Sequence, residues 1–532
     1  HGPVDRGTGR DGLHLPDPAA SPNGLIRGSE PAATGPTGRP IAADARPGDR
    51  GRAPPGGPRP AGTDVLRWPL IGRFLHWPGS RVAMQVPLFS IAALMVWHGL
   101  TGPQVGARNL ATVLTWVHYR GALVLLLLVA GNLFCMACPF MLPRTLARKL
   151  FAPARAWPAR LRSKWVAIGA LVGVLFAYEL LDLWDSPWWT AWLIIGYFLT
   201  ATLVDAFFKN APFCKYVCPL GQFNFVASTV SPLELGVTDP AVCATCDTRD
   251  CIKGTPRLDH PSELRRRGCE LSLFQPQKRG NLDCTLCLDC VYACPHDNIG
   301  LRTRLPASEL WDAGRRSGVG LVSRRPDLAA LVLVFTFGAL LNAFGMVTPV
   351  HAAQAWVGDL LGTTRESAIL GTMFTFGLVV EPVVLLVGAG WLTRRLTGAH
   401  EPLLPLVTRF VYALVPLGVG VWVAHYSFHL LAGLWTVVPV GQEALATAGI
   451  STGETLWRLR GLPPGWILPA EYMLLAFGIL GSLVVGWRIA QRDFPERPGA
   501  AYAPWAFLIA LLGVAALWLM SQPMEMRGMW MG

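Results

Sequence analysis

CTLCLDCVYACP, residues 284–295, is the stretch on which the reading of this chain turns. Cys284, Cys287, Cys290 and Cys294 follow the spacing C-x2-C-x2-C-x3-C, and Pro295 comes directly after the fourth. Three thiolates so close in sequence hold three irons of a [4Fe–4S] cube, and the Pro turns the chain away from it. A tetrahedral zinc site normally draws on two C-x2-C pairs set well apart, which this run does not offer. The chemistry implied is electron transfer.

The remaining Cys, of 12 in all, extend that reading. Cys243, Cys246 and Cys251 form a partial copy whose second gap is four residues, and a lone Cys269 follows a charged insertion with no Pro after it. In two-cluster ferredoxins the fourth Cys of each motif ligates the other motif's cluster. Carried over by position, Cys294 joins Cys243, Cys246 and Cys251, while Cys269 completes Cys284, Cys287 and Cys290. The alternative for Cys269 is an unligated thiol. The last four Cys make two pairs, Cys135-x2-Cys138-Pro139 and Cys214-x3-Cys218-Pro219, each closing a hydrophobic two-segment block. That is an internal repeat. Its four thiols leave three readings open: a third cluster, redox-active dithiols, or inert Cys at helix ends.

Apolar residues are 52% of the chain, charged residues 15%, and Trp numbers 21, a composition that suits a multi-span membrane protein. Apolar stretches near 82–100, 111–134, 165–185, 187–208, 327–348, 368–392, 410–432, 471–487 and 503–520 predict about nine spans. His118, Tyr119 and Arg120 interrupt the second. With Arg120 at the outer interface, that helix must run through to Cys135 and Cys138 at the inner boundary. The expected fold is a polytopic α-helical membrane protein with an inserted cytoplasmic two-cluster ferredoxin-like α+β domain. Its divisions are a disordered Gly/Pro/Arg-rich tail at 1–63, a four-helix membrane block at 64–208, the cluster domain at 209–325, a five-helix block at 326–520 and a Met-rich tail at 521–532.

Arg144, Arg148, Lys149, Arg155, Arg160, Arg162 and Lys164 crowd the loop between the second and third spans without an acid among them. The positive-inside rule then puts every Cys on the cytoplasmic side of the inner membrane, where reducing conditions argue against disulfides. The net charge of +12 finds its counterpart in anionic lipid, so no nucleic acid is expected. Residues 65–78 alternate apolar and basic positions, as an interfacial segment does. No Gly-rich phosphate loop, dinucleotide fingerprint or C-x-x-C-H haem-attachment site is present, which speaks against direct nicotinamide oxidation.

Two membrane blocks ending in Cys-Pro loops, followed by the motifs CKYVCPLGQF and CTLCLDCVYACPHDNIG, resemble the membrane polyferredoxins of anaerobic respiration over about residues 82–305. That family includes the quinol-dehydrogenase subunit of periplasmic nitrate reduction and the membrane regulator of nitrous oxide reductase. The resemblance implies two [4Fe–4S] clusters passing electrons between the quinone pool and a redox partner protein. The chain departs from it in the two-residue gap of CMACP, the lack of an evident flavin domain and the five spans beyond 325.

Those spans supply softer signals. His425 and His429, at i and i+4, share a helical face, and Glu381-Pro382 lies mid-span; these are the candidate proton or quinone groups. Intramembrane His more often pairs with a polar neighbour than holds haem, so haem is not expected. Met524, Met526 and Met529 make a candidate soft-metal tail, since thioethers suit Cu(I). Two functions follow: a quinol-dehydrogenase-type electron-transfer component, or a non-catalytic relay or maturation factor for a partner's metal site.

Overall fold

The computed structural model describes residues 62–151, 155–256, 264–312, 314, 316–317, 320–322 and 325–524. The expected disordered tail, apart from Gly62 and Thr63, lies outside these residues, as do Met526 and Met529. Nine apolar helices run through the described chain: α1 Ser80–Thr101, α2 Leu110–Ala130, α3 Trp165–Leu180, α4 Pro187–Phe207, α5 Pro326–Phe344, α6 Glu366–Thr397, α7 Leu403–Ala432, α8 Gly465–Asp493 and α9 Pro498–Ser521. Eight are long and apolar enough to cross a membrane, so the chain reads as a polytopic membrane protein. The exception is α3. It stops after 16 residues, where the chain turns through Asp182 at φ 43° instead of continuing to residue 185.

α7 forms the axis of the bundle, enclosed along 89% of its apolar stretch. It packs on α2, α5 and α8, while α9 joins α8 to α6 and α1 pairs with α4. Small residues allow the closest crossing: a Cβ on Gly478 of α8 would lie 2.8 Å from Pro416 O and 2.9 Å from Gly420 Cα of α7. Close backbone approach of this kind replaces the hydrophobic driving force that lipid removes.

Before the bundle, helix Pro69–His76 leaves Trp68, Leu70, Ile71, Phe74 and Trp77 exposed while Leu75 packs inward. That is the amphipathic layout of an element lying in a membrane interface.

α2 does not run on to the first Cys pair. It ends at Gly131, whose φ of 65° only Gly tolerates cheaply, and a separate short helix, Leu133–Ala137, carries Cys135. The chain folds back here. Phe134 meets Tyr119 at 5.2 Å between ring centroids, and Phe140 stacks on Tyr197, halfway along α4, at 5.4 Å. The second Cys-Pro loop also turns inward: helix Pro219–Ala227 is buried at every residue but Leu220, with Phe223 between Phe335 of α5 and Trp422 of α7. Non-helical backbone at such depth is tolerated where protein surrounds it.

Between α4 and α5 the described strands are few and short. β1 Leu233–Val237 pairs antiparallel with β4 Ile299–Thr303 in the register Leu233↔Thr303 to Val237↔Ile299; β2 Thr255–Pro256 pairs with β3 Leu264–Arg266, and Arg316–Ser317 with Gly320–Leu321. Thr303 N–H donates to Thr63 O, so the chain leading to the interfacial helix is pinned beside β4.

Candidate functional site

The cysteine loops are shaped by backbone that side chains rarely accept. Asp283, Leu286 and Leu288 have φ of 64°, 48° and 62°, and Arg249 one of 54°. Residues in this region are uncommon and cluster at functional sites. Leu286 and Leu288 are held there by burial, each 2% exposed, while the turns around them carry Cys284, Cys287 and Cys290.

Burial raises most of the twelve thiols, and neighbouring thiols add to the rise. Burial pushes Cys251 up to about 11, with Cys294, Cys243 and Cys246 adding to the push. Burial also raises Cys243, against a hydrogen bond from Asn298 and with Cys294 adding. Cys269, raised by burial to about 11, has Cys284 beside it; Cys290, pushed far above its ordinary value by burial, is next to Cys269, Cys287 and Cys284. Cys138 is raised first by burial and then by Cys135 and Cys218, and Cys214 by burial, Asp205, Cys218 and Cys138 against Arg144. Asn298 brings Cys294 beside Cys243 of the first motif, and Cys269 neighbours Cys284 and Cys290 of the second.

The three groups of four read from the sequence also form a row. Cys269 N–H donates to Cys251 O at 2.9 Å, joining the first to the second. Cys287 lines the same cavity as Cys135, Cys138, Cys214 and Cys218, joining the second to the third. Cys246 lies at the solvent end, where backbone and side-chain hydrogen bonds at Arg249 and Thr248 lower its thiol.

Donors aim at sulfur in every group. Asn298 reaches two, its N–H to Cys294 Sγ and its Nδ2 to Cys243 Sγ, each at 3.4 Å. Leu273 N–H points at Cys269 Sγ at 3.4 Å, Gly221 N–H at Cys218 Sγ at 3.2 Å and Asn224 Nδ2 at Cys135 Sγ at 3.6 Å. Such bonds favour thiolate over thiol, as cluster ligation requires. Among the described residues no three His, Cys, Asp or Glu converge on a point that one metal ion would fill. A cube gives each thiolate its own iron, so its ligands spread around a core rather than converge, and the donor set fits that group.

Charged residues that no motif announced bind this region to the bundle. Arg81, in the first turn of α1, pairs with Asp289 at 2.6 Å and donates to Cys287 O. Asn132 Nδ2 donates to Cys284 O at 3.0 Å, and Gln85 Nε2 to Met136 O at 2.9 Å. Arg144 contacts Asp205 and pairs with Glu270 at 2.7 Å; burial alone would raise Glu270, but Arg144 and Arg148 hold it down at about 2. Lys164 Nζ meets Asp283 at 2.6 Å with both side chains enclosed. Lys164 and Arg144 sat in the sequence among basic loop residues, and only their acids' positions distinguish them.

The softer candidates separate. His425 and His429 are buried on α7 with ring centroids 5.1 Å apart. Glu381 stands half-buried on α6, directly after a π-helical turn at Phe376–Val380 that accommodates Pro382. Met524, the described member of the tail, pairs by an isolated antiparallel bridge with Val347.

No described protein family matches the chain, and neither does any solved structure. Among curated proteins it is similar to the ferredoxin-type protein NapH of Escherichia coli, 26% identical over 266 residues, covering 47% of this chain and 88% of NapH. It is 26% identical over 198 residues to an uncharacterized protein of Methanocaldococcus jannaschii, covering 36% of this chain and 70% of the relative. It is 25% identical over 240 residues to the regulatory protein NosR of Pseudomonas aeruginosa, covering 36% of this chain and 30% of NosR. The chain is thus loosely related to ferredoxin-type membrane proteins, and a redox role is suggested at that level.

Proposed function

We propose that the chain is a membrane electron-transfer protein that carries three [4Fe–4S] clusters in a row and passes electrons between the quinone pool and a partner redox protein. The observation that supports this reading is the set of N–H donors aimed at sulfur in all three groups, Asn298 at Cys294 and Cys243, Leu273 at Cys269 and Gly221 at Cys218. When bound, the clusters supply one-electron acceptance and release with little structural change. The outer set is Cys243, Cys246, Cys251 and Cys294, the middle set Cys269, Cys284, Cys287 and Cys290, and the inner set Cys135, Cys138, Cys214 and Cys218.

The chain's own residues define the path. Asn298 links two sulfurs of the outer set, where a partner docks at the solvent end. Arg81 and Asn132 hold the middle loop against α1 and the first Cys-Pro loop. Burial pushes Cys135 up to about 11 and Cys218 up to about 12, whereas a redox-active dithiol calls for a depressed value and an electropositive, accessible setting. A bound metal deprotonates such thiols outright. The basic loop at 144–164 puts this side of the bundle in the cytoplasm, and the inner set then lies where a lipid-soluble quinone approaches.

Iron and acid-labile sulfide in anaerobically purified protein test the reading. About twelve irons per chain are expected, and about eight would remove the inner cluster. Low-temperature EPR after quinol addition is expected to show reduced clusters. Reduction by dithionite alone, at a measured potential within reach of quinol, would refute the quinone link.

A further inference from the structure

We propose that the bundle also contains a soft-metal site, in which His425, His429 and Met346, with Met524 at the edge, bind one Cu(I) ion. The proposal is independent of the clusters. α7 sets the two His one turn apart on one face, 0% and 1% exposed. His429 Nε2 lies 3.2 Å from Sδ of Met346, which is fully buried just beyond the end of α5. Met524 packs against the cluster formed by Trp116, Tyr178, Leu183 and Met346. The bridge from Val347 to Met524 and the Thr348 N–H bond to Pro523 O fix the end of the described chain beside Met346.

The donor chemistry selects the ion. Imidazole and thioether are neutral, and thioether prefers Cu(I) over harder divalent ions. No carboxylate belongs to the set. The nearby charges are Arg120, whose guanidinium lies 4.6 Å over the Tyr426 ring, and Glu179, beside Gly345. A set of neutral donors in a low-dielectric bundle suits a monovalent ion and penalises Zn²⁺ or Cu²⁺. Two His one turn apart on a single helix cannot reach opposite faces of one porphyrin, so the pair does not supply both axial ligands of one haem. The sequence singles out His425, His429 and Met524 but not Met346, which comes from a turn 79 residues before His425 and belongs to no motif.

The test uses iron-loaded full-length protein in nanodiscs, its Cys occupied and its iron content measured, titrated anaerobically with Cu(I) against a Cu(I) chelator. One Cu(I) per chain is expected to be retained, with both nitrogen and sulfur scatterers in the copper X-ray absorption spectrum. Ag(I) should displace it and Zn(II) should not. Met346→Leu, which conserves volume, and His429→Gln should each weaken retention by at least about tenfold with iron content unchanged. The proposal is overturned if no Cu(I) survives the chelator, if both variants retain it as the parent does, or if the scatterers are sulfur alone. Should both variants lose iron, the parent's spectrum decides: mixed nitrogen and sulfur supports the site, and sulfur alone refutes it.

Discussion

Lys164→Met is the most direct probe of how the cysteine loops are held. Lys164 Nζ and Asp283 Oδ1 are 2.6 Å apart, with side-chain exposures of 0% and 1%. The same Nζ donates to Lys215 O at 2.9 Å, next to Cys214, while Asp283 leads directly into Cys284. One ammonium therefore ties the middle thiol loop to the second Cys-Pro loop. At an effective dielectric of about 20 the attraction is roughly 6 kcal/mol, most of it offset by desolvation of the two ions. Removing one partner is different, because it leaves the other charge buried without compensation, at a cost of about 3–5 kcal/mol. Lys164→Met should therefore destabilise the protein by about that much, and Asp283→Asn by a similar amount. The double variant should recover to within about 1–2 kcal/mol of the parent. Trp fluorescence and iron release followed through a denaturant titration in mixed micelles would measure all three. The reasoning fails if Lys164→Met lies within about 1 kcal/mol of the parent, or if the double variant loses the sum of the two singles.

Other consequences follow from the same geometry. Cys135→Ser or Cys218→Ser should lower iron from about twelve to about eight per chain while the outer and middle clusters keep their EPR signals. Asn298→Ala removes the amide donor at Cys243 Sγ and should make the outer cluster harder to reduce at unchanged iron content, read by EPR redox titration. Gly478→Val forces a Cβ to within 2.8 Å of Pro416 O and should cost about 1–3 kcal/mol, seen as a lower thermal midpoint in nanodiscs. Replacing Leu70 and Phe74 with Gln should weaken retention of a peptide spanning 64–79 on anionic vesicles without changing the iron content of the full chain.

The cysteine framework was legible because spacing within a loop is a local property. C-x2-C-x2-C limits how thiols can be arranged whatever surrounds them, whereas the partners proposed for the two motifs, Cys269 and Cys294, come from the exchange rule of two-cluster motifs. The membrane helices were legible because hydrophobic length is also local. What failed was local in appearance and tertiary in cause. The apolar stretch at 165–185 is long enough to span, yet Asp182 turns the chain and α3 ends at Leu180. Apolar residues continue from α2 to Cys135, but Gly131 breaks the helix and the loop folds back beside Tyr119. Arg81, Arg144, Lys164 and Asn298 could not be picked out, since each is defined by a partner more than 50 residues away.

Arg120 shows how a residue that troubled the sequence reading becomes a stabilising one. It was expected to mark the outer interface of α2; it is instead 8% exposed inside the bundle. Its guanidinium lies 5.2 Å from the Trp116 ring centre, 5.1 Å from Tyr178 and 4.6 Å from Tyr426. Nε donates to Trp116 O at 2.7 Å. Placing a charge at the centre of a span costs about 2.5–3.5 kcal/mol on insertion scales. A desolvated cation over an aromatic face gains roughly 2 kcal/mol, so three rings return more than the cation loses. The planar guanidinium can present its faces to rings and its edge to a carbonyl together, and an ammonium cannot. Arg120→Lys should therefore be more destabilising than Arg120→Met, which sheds the charge as well as the cage. Tyr426→Leu should destabilise the parent but have little further effect in the Arg120→Met background. Thermal midpoints of these four proteins in nanodiscs decide the matter. If Arg120→Lys matches the parent, or Tyr426→Leu costs the same in both backgrounds, the cage is packing alone and the cation is held by something else.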